Sequence, residues 1–300
     1  MRGAQEVVLR LAYRPPYDWE QMRAFLAVRA LLGVERVDAH GYARTVAYPG
    51  GHARIRVAPL AGEHALELHV AGAPPGMLVQ LSSAARRMFD LAADPQRIAA
   101  GLAADVLVAP LLRARPGTRI AGAWDPFECA VRAVLGQQVS VAAGRTFALR
   151  LVERLGVRIG DGAEGLTHLF PAPAAIAAGP LDSFGLTRAR AATLRALAVA
   201  VLEGRLDFGA ALEQVVAALT QIPGIGTWTA QYVALRALAD PDALPSGDLV
   251  LRRIAARSAT PLSGRELDER ARAWRPWRGY AVMHLWRLAS GAASKPEAAA

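Results

Sequence analysis

Two segments of the chain combine chemistry-bearing residue types at a spacing that fixes their geometry. The first is Leu219-Thr-Gln-Ile-Pro-Gly-Ile-Gly-Thr-Trp-Thr-Ala230. A helix is expected to end near Thr220, Pro223-Gly224-Ile225-Gly226 to make a tight turn, and a second helix to start near Thr227 with Ala230, Val233, Ala234 and Leu235 facing inward. Two glycines flanking one aliphatic residue let the turn press its backbone against a ligand while Ile225 fills the gap between the helices. The amides of Gly224, Gly226 and the next residues lie at a helix N-terminus, where unpaired N–H groups and the helix dipole attract anions such as phosphate. A bare Gly-x-Gly bend is usually an ordinary helical hairpin; the full string is far more restrictive. The second segment is Leu244-Pro-Ser-Gly-Asp-Leu-Val-Leu-Arg-Arg253. Pro245, Ser246 and Gly247 read as a loop, and Asp248 opens an apolar helix over 248–256. Taken alone, Asp248 is a helix N-cap, which fixes the orientation of its carboxylate. Asp240 and Asp242, just before the loop, read as solvated turn residues.

These segments sit in a chain of 300 residues that is 53% hydrophobic and 20% charged, enough for real cores. The formal net charge is +9, a field that attracts polyanions, although arginine-rich solvated faces produce the same excess. No apolar run is long enough to span a membrane, and the N-terminal residues show no apolar signal core, so a cytoplasmic protein without membrane contact is expected. The single cysteine, Cys129, excludes an intrachain disulfide, a four-cysteine iron–sulfur cluster and a cysteine zinc site; it reads as a core residue. Lys295 is the only lysine.

The elements that must position the two segments fall into two regions. Residues 6–13, 36–40, 43–48, 53–59 and 65–70 partly alternate, as strands do, with turns at Pro49-Gly50-Gly51 and Ala61-Gly62. Helices are expected over 19–31, behind Asp18, and over 77–91. From residue 94 the period turns helical, with candidates at 95–103, 126–136, 139–155, 188–203, 210–220, 227–238, 264–273 and 277–289 and a frayed tail from Ala289. The fold class is therefore α+β: a small antiparallel-sheet domain over 1–94, helices on one face, followed by an all-α region over 95–300 with two helical subdomains and a cleft between them.

The hairpin resembles the helix-hairpin-helix of DNA repair glycosylases, and Asp248 after its Gly/Pro-rich loop resembles their catalytic aspartate. Arg14-Pro-Pro-Tyr-Asp-Trp19, Asp125-Pro-Phe-Glu with Val131-Arg-Ala-Val-Leu-Gly-Gln-Gln-Val-Ser140, and Trp274-Arg-Pro-Trp-Arg-Gly-Tyr280 with His284-Leu-Trp286 extend the likeness over almost the whole chain. The branch is that of 3-methyladenine DNA glycosylase II. The resemblance implies an enzyme that flips a damaged nucleotide out of duplex DNA and hydrolyses the N-glycosidic bond of an alkylated purine. Asp248 would be the catalytic carboxylate. Trp228, Tyr232 and Trp286 would line the base pocket, with an aromatic wall that reads charge and shape and supplies few directed hydrogen bonds. Gln137 would face the minor groove, and Gln138 stands where a branch of the family has an apolar wedge. Gly224, Ile225, Gly226 and Thr227 would meet the DNA backbone. The carbonyls of Thr220, Ile222 and Ile225 match a loop able to hold a monovalent cation; no other cofactor is implied. A monomer is expected, associated with the nucleoid in a bacterium. Trp274 and Trp277 read as core.

Two alternatives carry different chemistry. A glycosylase/lyase needs a lysine amine two residues after the second hairpin glycine, where Trp228 stands. A non-catalytic DNA-binding module would use the hairpin alone and gain nothing from a carboxylate beside DNA.

Overall fold

A computed structural model describes residues 6–293 apart from 161, 162 and 257. The chain opens with Val7–Ala12 (β1), Trp19–Ala27 (α1), Glu35–Asp38 (β2), Gly41–Tyr48 (β3), Gly51–Pro59 (β4) and Ala65–Ala71 (β5). The strands form one antiparallel sheet in the order β1-β5-β4-β3-β2. In β4 the alternation places Ile55 and Val57 in the core and leaves Arg54 and Arg56 partly exposed. β3 departs from it, with every residue from Gly41 to Val46 buried. The cause lies far along the chain. Arg44 points to one face and reaches Glu128, while Thr45 points to the other and donates to the His168 carbonyl at 2.7 Å. Gly33 also bridges Leu166, so Leu166–His168 pack against that end of the sheet.

Helices follow at Leu78–Met88 (α2), Pro95–Leu102 (α3), Val108–Ala114 (α4), Pro126–Leu135 (α5), Val141–Leu155 (α6), Pro173–Ala178 (α7), Arg188–Leu202 (α8), Leu212–Thr220 (α9), Thr227–Ala237 (α10), Leu249–Ala256 (α11), Gly264–Arg270 (α12) and Arg278–Ala293 (α13). Side-chain oxygens of Asp94, Asp125, Ser140, Thr187 and Ser263 cap the starts of α3, α5, α6, α8 and α12. Three expectations need correction. Helix α1 stops at Ala27 rather than near 31, because buried side chains take the backbone groups that follow: Arg132 donates to the Arg29 carbonyl, and the Leu31 N–H donates to Glu35 at 3.0 Å. The short helices α4 and α7 were not expected. Helix α13 runs past Ala289 to Ala293, and 294–300 lie outside the described residues.

The buried side chains form two clusters. The first joins the sheet (Tyr42, Ile55, Leu68) to α2 and to C-terminal residues such as Trp274 and Met283. The second is helical, built from residues such as Val134, Leu151, Leu194 and Leu219, and reaches back to Leu31 and Val34. Helix α10 serves both: Ala234 and Leu235 pack into the first, Ala230 and Val233 into the second. The N-terminal sheet thus shares its core with the last helices of the chain.

Candidate nucleic-acid interface and base pocket

The hairpin joins α9 to α10. Ile225 and Ile222 are buried between the helices, and the Ile225 N–H donates to the Ile222 carbonyl at 3.0 Å. The two glycines differ in purpose. Gly224 adopts φ +87°, and a Cβ there would lie 2.0 Å from Thr193 Oγ1 of α8. Gly226 has an ordinary φ of −93° and open space where a Cβ would project. Unlike the five helices named above, α10 has no side chain capping its first turn. Its leading amides therefore face outward without a side-chain acceptor, beside a glycine that leaves room for an approaching anion.

The α5–α6 turn is bolted to this hairpin. Gln137 Nε2 donates to the Gly224 carbonyl and to Thr229 Oγ1, both at 3.0 Å. The Gln137 carbonyl accepts from Arg190 of α8 at 2.7 Å. Gln138 is exposed at the tip with φ +56°, a left-handed conformation that is strained for a residue with a side chain.

Asp248 caps α11: its Oδ1 accepts the Leu251 N–H at 2.9 Å, and its carbonyl accepts from Arg252 at 3.0 Å. The loop before it is tied on three sides. Arg278 holds Asp242 through two hydrogen bonds of 2.8 and 2.9 Å, Gln231 of α10 accepts the Leu244 N–H at 3.1 Å, and Ser246 donates to Asp268 at 3.1 Å. Asp242 is therefore a structural anchor, not a solvated turn residue as its sequence context suggested. A Cβ on Gly247 would lie 3.3 Å from that of Trp228, which places the loop against the first turn of α10.

A cavity of about 480 Å³ opens between the two cores, walled by Trp228, Tyr232, Trp286 and Asp248. Trp228 and Tyr232 stack with centroids 5.6 Å apart, and Tyr232 and Trp286 tilt together at 6.0 Å. Val139 and Val141 on one side and Val250 on the other are exposed and also line it, giving an apolar rim.

The interior of the cavity is charged, contrary to the expected lining with few directed hydrogen bonds. Five arginines and three carboxylates line it. Arg44 donates to Glu128 at 2.6 Å, and Arg132 bridges Glu128 and Glu35 at 2.9 Å each. The Tyr42 hydroxyl donates to Glu35 at 2.7 Å. Burial disfavours ionised Glu35, but Arg132 and Arg44 outweigh it and hold its carboxyl below the usual range. Arg236 donates to the Tyr232 hydroxyl at 2.8 Å and to the Ala121 carbonyl. Arg29 donates to the Phe25 carbonyl at 3.1 Å; burial, reinforced by Arg236 and Arg132, lowers its guanidinium to about 10.

Thus Asp248, Trp228, Tyr232 and Trp286 meet in one cavity, whereas Gln137 and Gln138 stand outside its wall. The inner arginines escaped the sequence reading because charged residues are ordinarily solvated. One signal pointed to Arg236: it continues the face of Trp228 and Tyr232 at four-residue steps. Cys129 is buried, and Trp274 is fully buried with its indole N–H donating to Asp105 at 2.8 Å. Among the described residues no cluster of His, Cys, Asp or Glu could hold a metal ion, and no helix is long and apolar enough to cross a membrane.

A family model described as the AlkA N-terminal domain matches residues 8–125. A Mycobacterium tuberculosis protein named "Probable bifunctional transcriptional activator/DNA repair enzyme AlkA" is 37% identical over 286 residues, which are 95% of this chain and 57% of that protein. The chain thus spans little more than half of that relative's length. The Escherichia coli DNA-3-methyladenine glycosylase 2 is 36% identical over 282 residues, covering 92% of this chain and 95% of that one. Among solved structures, a 3-methyladenine DNA glycosylase from Archaeoglobus fulgidus superposes with a TM-score of 0.82 at 21% identity, covering 96% of this chain and all of that one. An 8-oxoguanine glycosylase/lyase from Clostridium acetobutylicum in complex with DNA gives 0.72 at 16%, covering 92% and 93%, so the fold is shared across different lesion chemistries. With its N-terminal domain matched and an E. coli relative aligned nearly end to end, the chain belongs to the DNA-3-methyladenine glycosylase 2 (AlkA) family.

Proposed function

We propose that the chain is a monofunctional DNA glycosylase that hydrolyses the N-glycosidic bond of alkylated purines such as 3-methyladenine. The observation that carries this reading is the meeting of the Asp248 carboxylate with the stacked Trp228, Tyr232 and Trp286 in one cavity, beside the uncapped N-terminus of α10.

The amides of Gly224, Gly226 and Thr227 take a DNA phosphate, which positions the duplex without reading its sequence, whereas the Ile225 amide, expected to join them, is already bonded to the Ile222 carbonyl. A base inside the duplex is out of reach, so the nucleotide swings out, at about a few kcal/mol, and Gln138 fills the gap from its exposed tip. Gln137 acts from behind, holding that turn to the hairpin. An alkylated purine carrying positive charge is attracted to the aromatic faces by about 0.5–2 kcal/mol. As the bond to the sugar breaks, positive charge grows on the sugar, and the prepositioned Asp248 carboxylate stabilises it. The backbone carbonyls of Thr220 and Ile225 accept no backbone hydrogen bond among the described residues, and that of Ile222 keeps a second lone pair beyond its bond from Ile225. These hard oxygens suit a monovalent cation, which would stiffen the hairpin. Trp228 stands where a lyase needs its amine, so cleavage by water leaves the abasic strand intact. A monomer working in the cytoplasm, where the DNA is, belongs to the same reading.

The test is release of free 3-methyladenine from alkylated duplex DNA, with the product strand examined for nicks and for borohydride-trapped adducts. Free base with an unbroken abasic strand is expected. A trapped adduct on the chain, or a clear preference for 8-oxoguanine by the same preparation, would overturn the reading.

A further inference from the structure

The charges of the cavity lie along an axis. Trp228, Tyr232 and Arg236 follow one another on one face of α10, so Arg236 lies about 12 Å along the helix from Trp228. Asp248 belongs to the Trp228 end, where its loop packs, and that end is open to solvent. Arg236 belongs to the inner end, where it is buried and holds the Tyr232 hydroxyl. Arg29 joins it there: the two guanidiniums lie over the Phe25 ring, 3.7 and 4.6 Å from its centroid. Arg44 and Arg132 are balanced by Glu128 and Glu35. Arg29 and Arg236 form no ion pair with any described carboxylate, and their donors go to carbonyls and to Tyr232. The cavity therefore carries Asp248 toward its mouth, where Arg145 of α6 also lines it, and two positive charges without compensation at its inner end. Burial is the main cause of the lowered pKa of Arg29, and the neighbouring Arg236 and Arg132 add to it in the same sense.

We propose that this polarity is part of the catalytic apparatus: Arg29 and Arg236 draw the electron pair of the glycosidic bond onto the departing base, while Asp248 faces the charge left on the sugar. The inference rests on the glycosylase reading. The C1′–N bond breaks heterolytically, the pair passes to the base nitrogen, and C1′ becomes an oxocarbenium centre. Water adds there and gives up its proton to solvent. A base bound as a cation leaves neutral; a base bound neutral leaves as an anion and takes a proton from solvent. In both cases the charge on the base falls by one unit, so a positive potential lowers both barriers. The ground states respond differently, because that potential repels a bound cation and leaves a neutral base unopposed. A pocket built for cations alone would carry the opposite sign at its inner end.

The experiment compares wild type, Arg29→Met and Arg29→Lys in single-turnover release from two duplexes, one carrying 3-methyladenine and one carrying hypoxanthine. Arg29→Met is expected to slow release from both on the order of tenfold. Its half-saturating concentration should fall for the 3-methyladenine duplex and not for the hypoxanthine duplex. Arg29→Lys restores the charge and should recover most of the lost rate. The thermal midpoint of Arg29→Met should rise, since a shielded and unpaired cation has gone. Unchanged rates in Arg29→Met, a loss that Lys fails to recover, or weaker binding of both duplexes would assign Arg29 to packing and overturn the inference alone. A wild type that releases only 3-methyladenine overturns the inference, since the same potential must lower both barriers. A wild type that releases neither base defeats the glycosylase reading and this inference with it.

Discussion

Replacing Asp248 by Asn separates the two tasks of its side chain. The amide oxygen can still accept the Leu251 N–H that Oδ1 accepts at 2.9 Å, so the start of α11 and the loop bound by Asp242, Gln231 and Ser246 should hold. The negative charge facing the sugar is gone. Losing one preorganised electrostatic group lowers a rate by about 10²–10³-fold. Asp248→Asn should therefore lose base release by at least that order while its thermal midpoint and its affinity for duplex DNA stay close to wild type. Excision at the wild-type rate would show that the carboxylate serves only as a cap. At this scale the sequence was informative where a residue type is rare in its setting: a carboxylate behind a Pro-Ser-Gly loop, aromatics at four-residue spacing. It was silent on Arg29, because nothing local distinguishes an arginine folded against Phe25 from one in water, and it marked Arg236 only by its four-residue step from Tyr232.

At the scale of elements, the hairpin makes different demands on its two glycines. Gly224→Ala puts a Cβ within 2.0 Å of Thr193 Oγ1 in a left-handed conformation and should destabilise the protein by about 1–3 kcal/mol. At Gly226 a Cβ meets nothing within 4 Å at an ordinary φ, so Gly226→Val should cost less than about 1 kcal/mol. It should nonetheless weaken binding to damaged and undamaged duplexes alike, because the phosphate approach is blocked. Paired denaturation and DNA titrations decide this; a Gly226→Val protein that binds normally would remove the phosphate role from the turn. The link between turn and hairpin has its own test. Gln137→Leu removes two donors and leaves the Gly224 carbonyl and Thr229 hydroxyl without them, at about 1–3 kcal/mol. Amide exchange over 222–229 should quicken ahead of the remaining core. Unchanged exchange there would mean that the two turns move independently. Most elements were legible because period and punctuation agreed, as in β4 with Arg-Ile-Arg-Val and α5 behind Asp125-Pro126. Helix α4 escaped because it is seven residues long with Pro110 inside it, and α7 because it has only six residues. The early end of α1 depends on Arg132 and Glu35, partners that no local pattern around residue 28 can reveal.

At the scale of the whole molecule, the N-terminal sheet and the last helix meet in one core, and a buried histidine marks the seam. His284 lies on α13, two residues before Trp286, and its Nδ1 has no hydrogen-bond partner among the described residues. Burial, helped by Arg287 and opposed by Asp18, lowers its imidazole to about 4. In the unfolded chain a histidine titrates near about 6.5, so between that pH and 4 the unfolded state binds the extra proton. The folding free energy that depends on neutral His284 is thus complete above pH 6.5 and is withdrawn as the pH falls toward 4, by on the order of 3 kcal/mol. Asp90 acts in the opposite sense. Burial raises its carboxyl to about 6, so there the folded state binds the extra proton, and acidification from 6 relieves the strain of its charge. Because the two offset each other, the pH dependence of wild-type stability does not isolate either. The difference between wild type and His284→Leu does, since Asp90 is common to both. Urea denaturation at a series of pH values should show the variant gaining on wild type steadily from pH 7 to pH 4.5. A constant difference across that range would mean that His284 is as easily protonated in the fold as outside it, and that acid reaches the seam beside the base pocket without opening it.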